Sequence, residues 1–351
     1  MTPSKQAVTK FEEAFAKKFG EGTMTTPDVN ETYSVVSTGS LALDDAVGVG
    51  GLVEGKITEI WGPPGVGKST LCLMTVAEAQ KKHPDLLVAW VDMEHAFDIQ
   101  WAILHGIDIS RFKHVKPNSA EDVADAMKEI VASGLFSIVV LDSIGAMITE
   151  KDIDRAADEA SVAATPKVVT RMVEILAVKA DQTKTVVVLI NQVRANISYG
   201  ADTKTGGGFA LEHSSTMKLN VKKTGTPAFK DKIDGEERIV GHEVRVRVER
   251  NRVAVPFRTA TLTLFNQPSQ YGPVGIDLAD EAFTLGSARG VIAQEKATYI
   301  LPTGERFVGR PKTIDALRKS PETVELIRKE VLAQVREYKP SEILEAIEDG
   351  D

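Results

Sequence analysis

A glycine-rich segment between an apolar run and a helical pattern constrains this chain more than any other feature. The run at residues 57–61 leads directly into Gly62-Pro63-Pro64-Gly65-Val66-Gly67-Lys68-Ser69-Thr70. Glycines at such a turn let backbone N–H groups wrap around phosphate oxygens, and the following helix adds its positive dipole end. In this strand–loop–helix setting the segment predicts a nucleotide-phosphate site, with Lys68 on the β and γ phosphates and Ser69 on Mg²⁺. The alternative is a glycine-rich turn before an ordinary helix.

Short apolar runs alternate with helical patterns over most of the chain. The runs are rich in Val, Ile and Leu and occupy residues 57–61, 86–91, 137–141 and 185–190. Segments this short and apolar are typical of strands buried on both faces of a parallel sheet. Helical patterns lie between them, at residues 69–82, 120–133 and 166–180. The succession predicts an α/β fold with a mostly parallel central sheet.

The pattern changes after residue 225. Residues 243–249 alternate strictly between polar and apolar, and residues 258–265 are rich in threonine, which predicts added antiparallel strands. From residue 272 onward helical patterns dominate, with a hairpin turn expected at residues 302–304. We read this last region as a separate small α+β domain.

The N-terminal segment predicts an amphipathic helix. Apolar side chains recur at spacings of three and four, namely Val8, Phe11, Phe15 and Phe19. The polar residues 22–30 predict a linker, and the helix either folds back as a core element or docks elsewhere. We therefore expect three parts: residues 1–31, residues 32–267 and residues 268–351.

Composition narrows the class of protein. The chain has 351 residues, of which 42% are apolar and 26% are charged, as in globular proteins. Cys72 is the only cysteine, which excludes a disulfide framework. The chain lacks an apolar run long enough for a membrane span and its first residues lack a signal-peptide pattern, so we expect a cytoplasmic protein with no membrane partner.

The charge is unevenly distributed along the chain. The formal net charge of −8 argues, taken alone, against nucleic acid as the main partner. Residues 218–258 nevertheless carry eleven Lys and Arg against six Asp and Glu, and residues 337–351 carry six acids against one lysine. The acidity is partly concentrated in a C-terminal tail, so the total does not exclude a nucleic-acid surface elsewhere.

Three of the predicted strands end in polar side chains suited to phosphate chemistry: Asp142, Glu94 and Gln192. The carboxyl ends of parallel strands share one edge of the sheet, where ligands of open α/β sheets bind. Asp142 is expected in the water shell of Mg²⁺, and Glu94 is expected to orient or deprotonate the attacking water. Gln192 suits a sensor of the γ-phosphate. The alternatives are a solvated strand-end acid for Glu94 and a strand-end cap for Gln192.

Several segments together resemble the RecA family of DNA recombinases. They follow one another in that family's order, at residues 37–44, 50–52, 62–70, 91–98, 140–143, 190–194, 205–207 and 250–257. The resemblance covers nearly the whole chain. It implies a RecA-type P-loop ATPase core that uses ATP and Mg²⁺, an N-terminal helix that packs on the neighbouring subunit of a filament, and a small C-terminal domain.

The resemblance also implies roles for individual residues. The expected catalytic residues are Glu94, Lys68 and Gln192. The expected ATP-binding residues are Gly62, Pro63, Pro64, Gly65, Val66, Gly67, Lys68, Ser69, Thr70, Asp98, Trp101 and Asp142, with Ser69 and Asp142 serving Mg²⁺. Trp101 falls where the family stacks an aromatic ring on adenine, and Arg250 and Arg252 fall where it has lysines that reach the neighbouring subunit's ATP. The expected DNA-binding residues are Lys167, Thr170, Arg194, Asn196, Ile197, Thr205, Gly206, Gly207 and Gly208.

This chain departs from the family pattern in three places. The resemblance implies two DNA loops, at residues 150–162 and 196–209. The first of these is acidic, the second has an extra residue near Gly208, and Glu212 stands where the family usually has a lysine. These departures concern the DNA and subunit contacts and leave the ATP site intact.

The resemblance implies an ATP-dependent recombinase that forms helical filaments on single-stranded DNA, pairs it with homologous duplex and exchanges strands. Single-strand-binding and loader proteins would be further partners, and the active protein would associate with the nucleoid. One alternative is a ring-forming helicase or DNA-motor ATPase on the same core. Another is a switch that binds ATP without turnover, which the combination of Lys68, Glu94 and Asp142 disfavours.

Overall fold

The computed structural model describes residues 4–21, 23–24, 32–153, 164–192, 211, 213–270 and 272–336. Most of the two expected DNA loops, Glu212 and the acidic tail lie outside these residues. The chain divides into two compact units. One combines Met1–Tyr33 with Tyr338–Asp351, and the other is Ser34–Glu337.

The described α-helices, in chain order, are α1 (Lys5–Phe19), α2 (Leu41–Ala46), α3 (Lys68–Lys82), α4 (Ile99–Leu104), α5 (Ala120–Ala132), α6 (Glu150–Ile153), α7 (Ala164–Thr183), α8 (Leu278–Ala288), α9 (Arg310–Arg318) and α10 (Pro321–Arg336). Short 3₁₀ turns occur at Ile109–Arg111 and Ile144–Ala146. Among these described helices, none is both long and apolar enough to cross a membrane.

The described strands, in chain order, are β1 (Val35–Val36), β2 (Leu52–Val53), β3 (Ile57–Gly62), β4 (Leu87–Asp92), β5 (Phe112–Val115), β6 (Phe136–Asp142), β7 (Val186–Gln192), β8 (Met217–Lys223), β9 (Phe229–Ile233), β10 (Glu236–Asn251), β11 (Thr259–Phe265), β12 (Gly275–Ile276), β13 (Ala293–Glu295), β14 (Thr298–Ile300) and β15 (Arg306–Val308).

Ten of these strands form one large mixed sheet. Its order is β12-β11-β10-β8-β3-β7-β6-β4-β5, and β9 pairs with β10. Six strands, in the sheet order β8-β3-β7-β6-β4-β5, pair with one another in parallel. The other four, β9, β10, β11 and β12, pair antiparallel, and β10 joins them to β8. The register pairs Gly62 with Gln192 and Asp92 with Asp142, so the polar strand ends meet at one edge of the sheet.

Each face of the parallel sheet carries its own apolar core. Strand residues alternate between the faces, so that Ile60, Val140 and Val188 join one core and Leu141 and Leu189 join the other. Both groups are almost fully buried. Burial on both faces explains why these strands appear in the sequence as continuous apolar runs.

The structure confirms the α/β fold class and the mostly parallel sheet. The four predicted parallel strands lie within one or two residues of their expected bounds, and α3, α5 and α7 lie between them. The predicted antiparallel strands correspond to β10 and β11, and the turn at residues 302–304 connects β14 to β15. Helix α1 forms as expected, with Ser4 accepting the backbone N–H of Ala7 as its N-cap. The domain boundaries stay a prediction.

The C-terminal part of the second unit packs on helix α2 through charged groups. Glu281 of α8 accepts hydrogen bonds from Ser40 Oγ (2.8 Å) and from the backbone N–H of Leu41 (2.7 Å). Asp45 of α2 pairs with Arg258 and Arg289. Burial raises the pKa of Glu281 to about 7, against the lowering effect of hydrogen bonds from Ser40 and from the backbone of Leu41 and Ala42.

This contact predicts a pH dependence of stability. Because the folded-state pKa of Glu281 lies above the ordinary value of 4.5, the folded state holds the proton more tightly, and stability falls as pH rises from about 4.5 to about 7. Glu281→Gln should remove at most on the order of 3 kcal/mol of that pH-dependent change. Urea unfolding at about pH 5.5 and about pH 7.5 measures it. Glu330→Gln on the exposed face of α10 is the matched control, and equal pH slopes in the two variants would contradict the assignment.

Gly62 ends strand β3 at a close approach to β8. A Cβ added there would lie 2.1 Å from the carbonyl oxygen of Val221, and the glycine has a φ of 156°. Strand β8 can therefore pair with the end of β3 only when this position has no side chain.

Gly62→Ala should consequently destabilise the fold by about 3 kcal/mol or more, because a backbone atom has to move. Gly225→Ala is the control, since a Cβ at Gly225 meets nothing within 4 Å. Denaturant unfolding of both variants measures the difference. Equal free energies of unfolding in Gly62→Ala and Gly225→Ala would contradict this prediction, because β3 and β8 would then accommodate the side chain without loss of stability.

Candidate nucleotide site

The glycine-rich loop connects buried strand β3 to helix α3. The helix begins at Lys68, and its N-cap is Gly67 with a left-handed φ of 95°. The left-handed backbone conformation favours glycine here, and a Cβ at Gly67 would lie 2.4 Å from Leu264 Cδ1, so the Leu264 side chain would have to move. The loop thus presents backbone N–H groups and a helix N-terminus at the carboxyl edge of the sheet.

Lys68 is held inside this loop. Its side chain is buried, and Nζ donates hydrogen bonds to the carbonyl oxygens of Gly62 (3.0 Å) and Pro63 (2.8 Å). Burial lowers the pKa of Lys68, whereas the carboxylates of Asp142 and Glu94 act in the opposite direction. An anionic ligand over the loop would offset the cost of burying this cation.

Ser69 and Asp142 form a pair of oxygen donors beside Lys68. Ser69 Oγ donates to Asp142 Oδ2 over 2.8 Å. Burial raises the pKa of Asp142 to about 6, and Glu94 and Asp92 add to the rise while the bond from Ser69 and the charge of Lys68 oppose it. A hydroxyl and a carboxylate are ligands that Mg²⁺ accepts, and a bound cation would offset the free-energy cost of burying the charged carboxylate. The residues present therefore fit magnesium.

Glu94 and Gln192 meet at the same edge. Ser143 Oγ donates to Glu94 Oε1 over 2.6 Å, and Gln192 Nε2 donates to that same oxygen. Glu94 follows β4, Ser143 follows β6 and Gln192 ends β7, so three different strands supply this cluster. It places a carboxylate that can accept a proton next to an amide that can exchange partners.

Asp92 holds the segment that carries Glu94 through backbone hydrogen bonds. The buried carboxylate of Asp92 accepts the backbone N–H groups of Ala96 (3.4 Å) and Phe97 (3.2 Å). His114 Nε2 lies 3.2 Å from Asp92 Oδ2. Asp92 thereby anchors the turn that leads from β4 to α4.

A cavity of about 350 Å³ lies over these groups. It is lined by Pro64, Gly65, Gly67, Lys68, Ser69, Thr70, Glu94, Asp142, Gln192 and His242. The sequence predicted most of this lining. It did not single out His242, nor Ser143, which contacts Glu94 without belonging to the lining. His242 comes from β10, and no spacing along the chain indicates that it lies beside the loop.

Asp98 and Trp101 do not belong to the cavity lining. Asp98 caps helix α4 by accepting the backbone N–H groups of Gln100 (2.8 Å) and Trp101 (3.2 Å). The Trp101 ring packs edge-on against His105, with 4.5 Å between ring centres. The structure thus shows a structural task for Asp98, and an adenine contact by either residue stays a prediction.

The expected subunit and DNA residues are only partly described. Arg250 is half-buried opposite Lys218, and exposed Arg252 donates to the carbonyl oxygen of His213. Lys167 is exposed and Thr170 is half-buried on α7. The remaining expected DNA contacts lie outside the described residues: Arg194, Asn196, Ile197, Thr205, Gly206, Gly207 and Gly208.

Comparisons with a family model and with curated proteins match most of the chain. The family model of the RecA N-terminal domain matches residues 5–268. Protein RecA of Chlorobium chlorochromatii is 34% identical over 324 residues, which cover 91% of this chain and 88% of that protein. Protein RecA of Thermus thermophilus is 33% identical over 330 residues, which cover 92% and 93%.

A solved structure shows the same fold. The crystal structure of the RadB recombinase superposes with a TM-score of 0.51 at 24% identity, covering 66% of this chain and 96% of that one. The family match spans residues 5–268, and the RecA proteins match over most of the chain. The chain therefore belongs to the RecA family of ATP-dependent DNA recombinases, which are DNA-dependent ATPases.

Proposed function

We propose that this protein assembles into helical filaments on single-stranded DNA, pairs that strand with homologous duplex and exchanges strands, using ATP and Mg²⁺. The observation that carries the proposal is the hydrogen bond from Gln192 to Glu94 at the rim of the phosphate cavity. Gln192 lies four positions before residues 196–209, the expected second DNA loop. The residue that contacts the candidate water-activating carboxylate is therefore also the residue that leads into the loop.

The described contacts support a division of labour in ATP hydrolysis. Lys68 gives its ammonium hydrogen bonds to the β and γ phosphates in place of the carbonyl oxygens of Gly62 and Pro63. Ser69 and, through a water, Asp142 would hold Mg²⁺, and the ion would neutralise part of the charge of the phosphates. Glu94 orients the attacking water and accepts its proton.

Gln192 links hydrolysis to DNA. Its amide donates to Glu94 in the described structure and is placed to donate to a γ-phosphate oxygen instead. Exchange between these two acceptors would make the position of the strand end depend on whether the γ-phosphate is present. The ATP-bound state would grip DNA, and hydrolysis would release it.

The remaining predicted roles belong to the same proposal. Asp98 and Trp101 would hold the adenine, and Arg250 and Arg252 would reach the ATP of a neighbouring subunit. Lys167, Thr170 and the two loops would hold the DNA backbone and bases. We place the protein in the cytoplasm, at the nucleoid when active, with single-strand-binding and loader proteins as further partners. The ring-forming helicase is not favoured, because the family match covers RecA proteins over nearly their whole length.

ATP turnover with and without single-stranded DNA tests this function. Turnover should rise sharply when DNA is added, because DNA bound by the expected second loop would act through Gln192 on Glu94. Lys68→Ala should lower turnover by about a hundredfold or more, since it removes a charge that stabilises the transferred phosphate. Lys81→Ala is the matched control, because Lys81 lies on the same helix with an exposed side chain that pairs with Glu78. Equal turnover with and without DNA would refute the proposal.

A further inference from the structure

A fully buried carboxylate lies beneath the site and has no task in the chemistry above. Glu59 is in the middle of β3 with 0% of its surface exposed. Its Oε1 accepts a hydrogen bond from Asn191 Nδ2 over 2.9 Å, and its Oε2 lies 3.4 Å from Lys218 Nζ. Neither Glu59 nor Lys218 belongs to the cavity lining. A buried ion pair is weak evidence for stability, because apolar residues often replace such pairs without loss, so a role other than stability is to be sought for it.

Asn191 connects this carboxylate to the active site. Its amide nitrogen donates to Glu59, and its carbonyl oxygen accepts the backbone N–H of Gln192 over 2.9 Å. The two bonds use opposite ends of one side chain and therefore fix its rotation. Gln192 is the next residue, and its side chain donates to Glu94. Glu59 thus lies two hydrogen bonds away from the main chain of the proposed sensor.

The strands on the other side hold Glu59 in place. Lys218 Nζ lies 5.3 Å from the centre of the Trp61 ring, and Trp61 Nε1 donates to Glu249 Oε2 over 2.8 Å. Asn220 donates to the second oxygen of Glu249 over 2.7 Å. The register between β8 and β10 shifts at Glu249, as expected where a bulge turns a side chain toward a specific partner. Contacts across β3, β8 and β10 therefore leave Glu59 little freedom to move.

We propose that Glu59 is a positioning residue for DNA-stimulated ATP hydrolysis, acting through Asn191 to hold the end of β7 at which Gln192 contacts Glu94. The inference rests on the proposed function, because it assigns Gln192 the role of linking the γ-phosphate to DNA. Lys218 supplies the charge that makes a carboxylate tolerable at this depth. The feature that positions Gln192 is the hydrogen-bond acceptor at Glu59, and the charge of Glu59 is not itself required.

Two double variants separate the acceptor from the charge. Glu59→Gln/Lys218→Met removes both charges and keeps an oxygen that can accept from Asn191. Glu59→Leu/Lys218→Met removes both charges and also the acceptor. Replacing both members of the pair avoids leaving one buried charge without its partner, the change that most destabilises such sites. Asn191→Leu breaks the same connection from its other end while Glu59 and Lys218 stay paired.

The measurements are kcat and KM for ATP with single-stranded DNA, turnover without DNA, and the midpoint of thermal unfolding. The variant Glu59→Gln/Lys218→Met should keep a DNA-stimulated kcat within about threefold of the unmodified protein. The variants Glu59→Leu/Lys218→Met and Asn191→Leu should each lose about tenfold in that kcat, with KM for ATP changed less than about threefold. A tenfold loss lies in the range of measured coupling energies.

The outcomes distinguish positioning from a structural role. Equal DNA-stimulated kcat in the two double variants, or an unchanged rate in Asn191→Leu, would overturn the inference, whatever their unfolding midpoints. If the variant Glu59→Leu/Lys218→Met fails to fold, Asn191→Leu alone decides between a positioning role and a structural role. Absence of DNA stimulation in the unmodified protein would instead refute the proposed function, so the two failures are distinguishable.

Discussion

The parallel, in-register pairing of β3, β7, β6 and β4 is the constraint on which the rest of the structure depends. Gly62 lies opposite Gln192, and Asp92 lies opposite Asp142. These pairings bring segments that are far apart in the chain to one edge, where the phosphate loop opens. Because a shift of one residue would turn every side chain to the other face, the two apolar cores fix the register and thereby fix the site. The chemistry at the edge is a consequence of packing in the middle of the sheet.

Much of the site was predictable from local sequence. Lys68 and Ser69 lie in a motif whose spacing carries its own physical reason, and Asp142 ends an apolar run of strand length. The rule that parallel strands share a carboxyl edge then places Asp142, Glu94 and Gln192 together without any structure. Burial on both faces produces continuous apolar runs, so the positions of these strands could also be predicted from the sequence.

The remaining contacts depend on pairings that the sequence does not encode locally. His242 reaches the cavity because antiparallel β10 runs alongside β8, a neighbour that no run of residues indicates. Glu59 appears in the sequence as one polar residue within an apolar strand, and its partner Asn191 is 132 positions away. Strand β13 and helix α2 escaped prediction because elements of three to six residues have too little periodicity to detect, and of the β14–β15 hairpin only the turn was predicted.

The central claim is that nucleotide and single-stranded DNA together drive this chain into a filament. Negative-stain electron microscopy with a non-hydrolysable ATP analogue and single-stranded DNA tests it most directly, because filament, ring and monomer differ in shape. The account predicts helical filaments that require both ligands. Closed rings, or monomers that remain separate with both ligands bound, would contradict it.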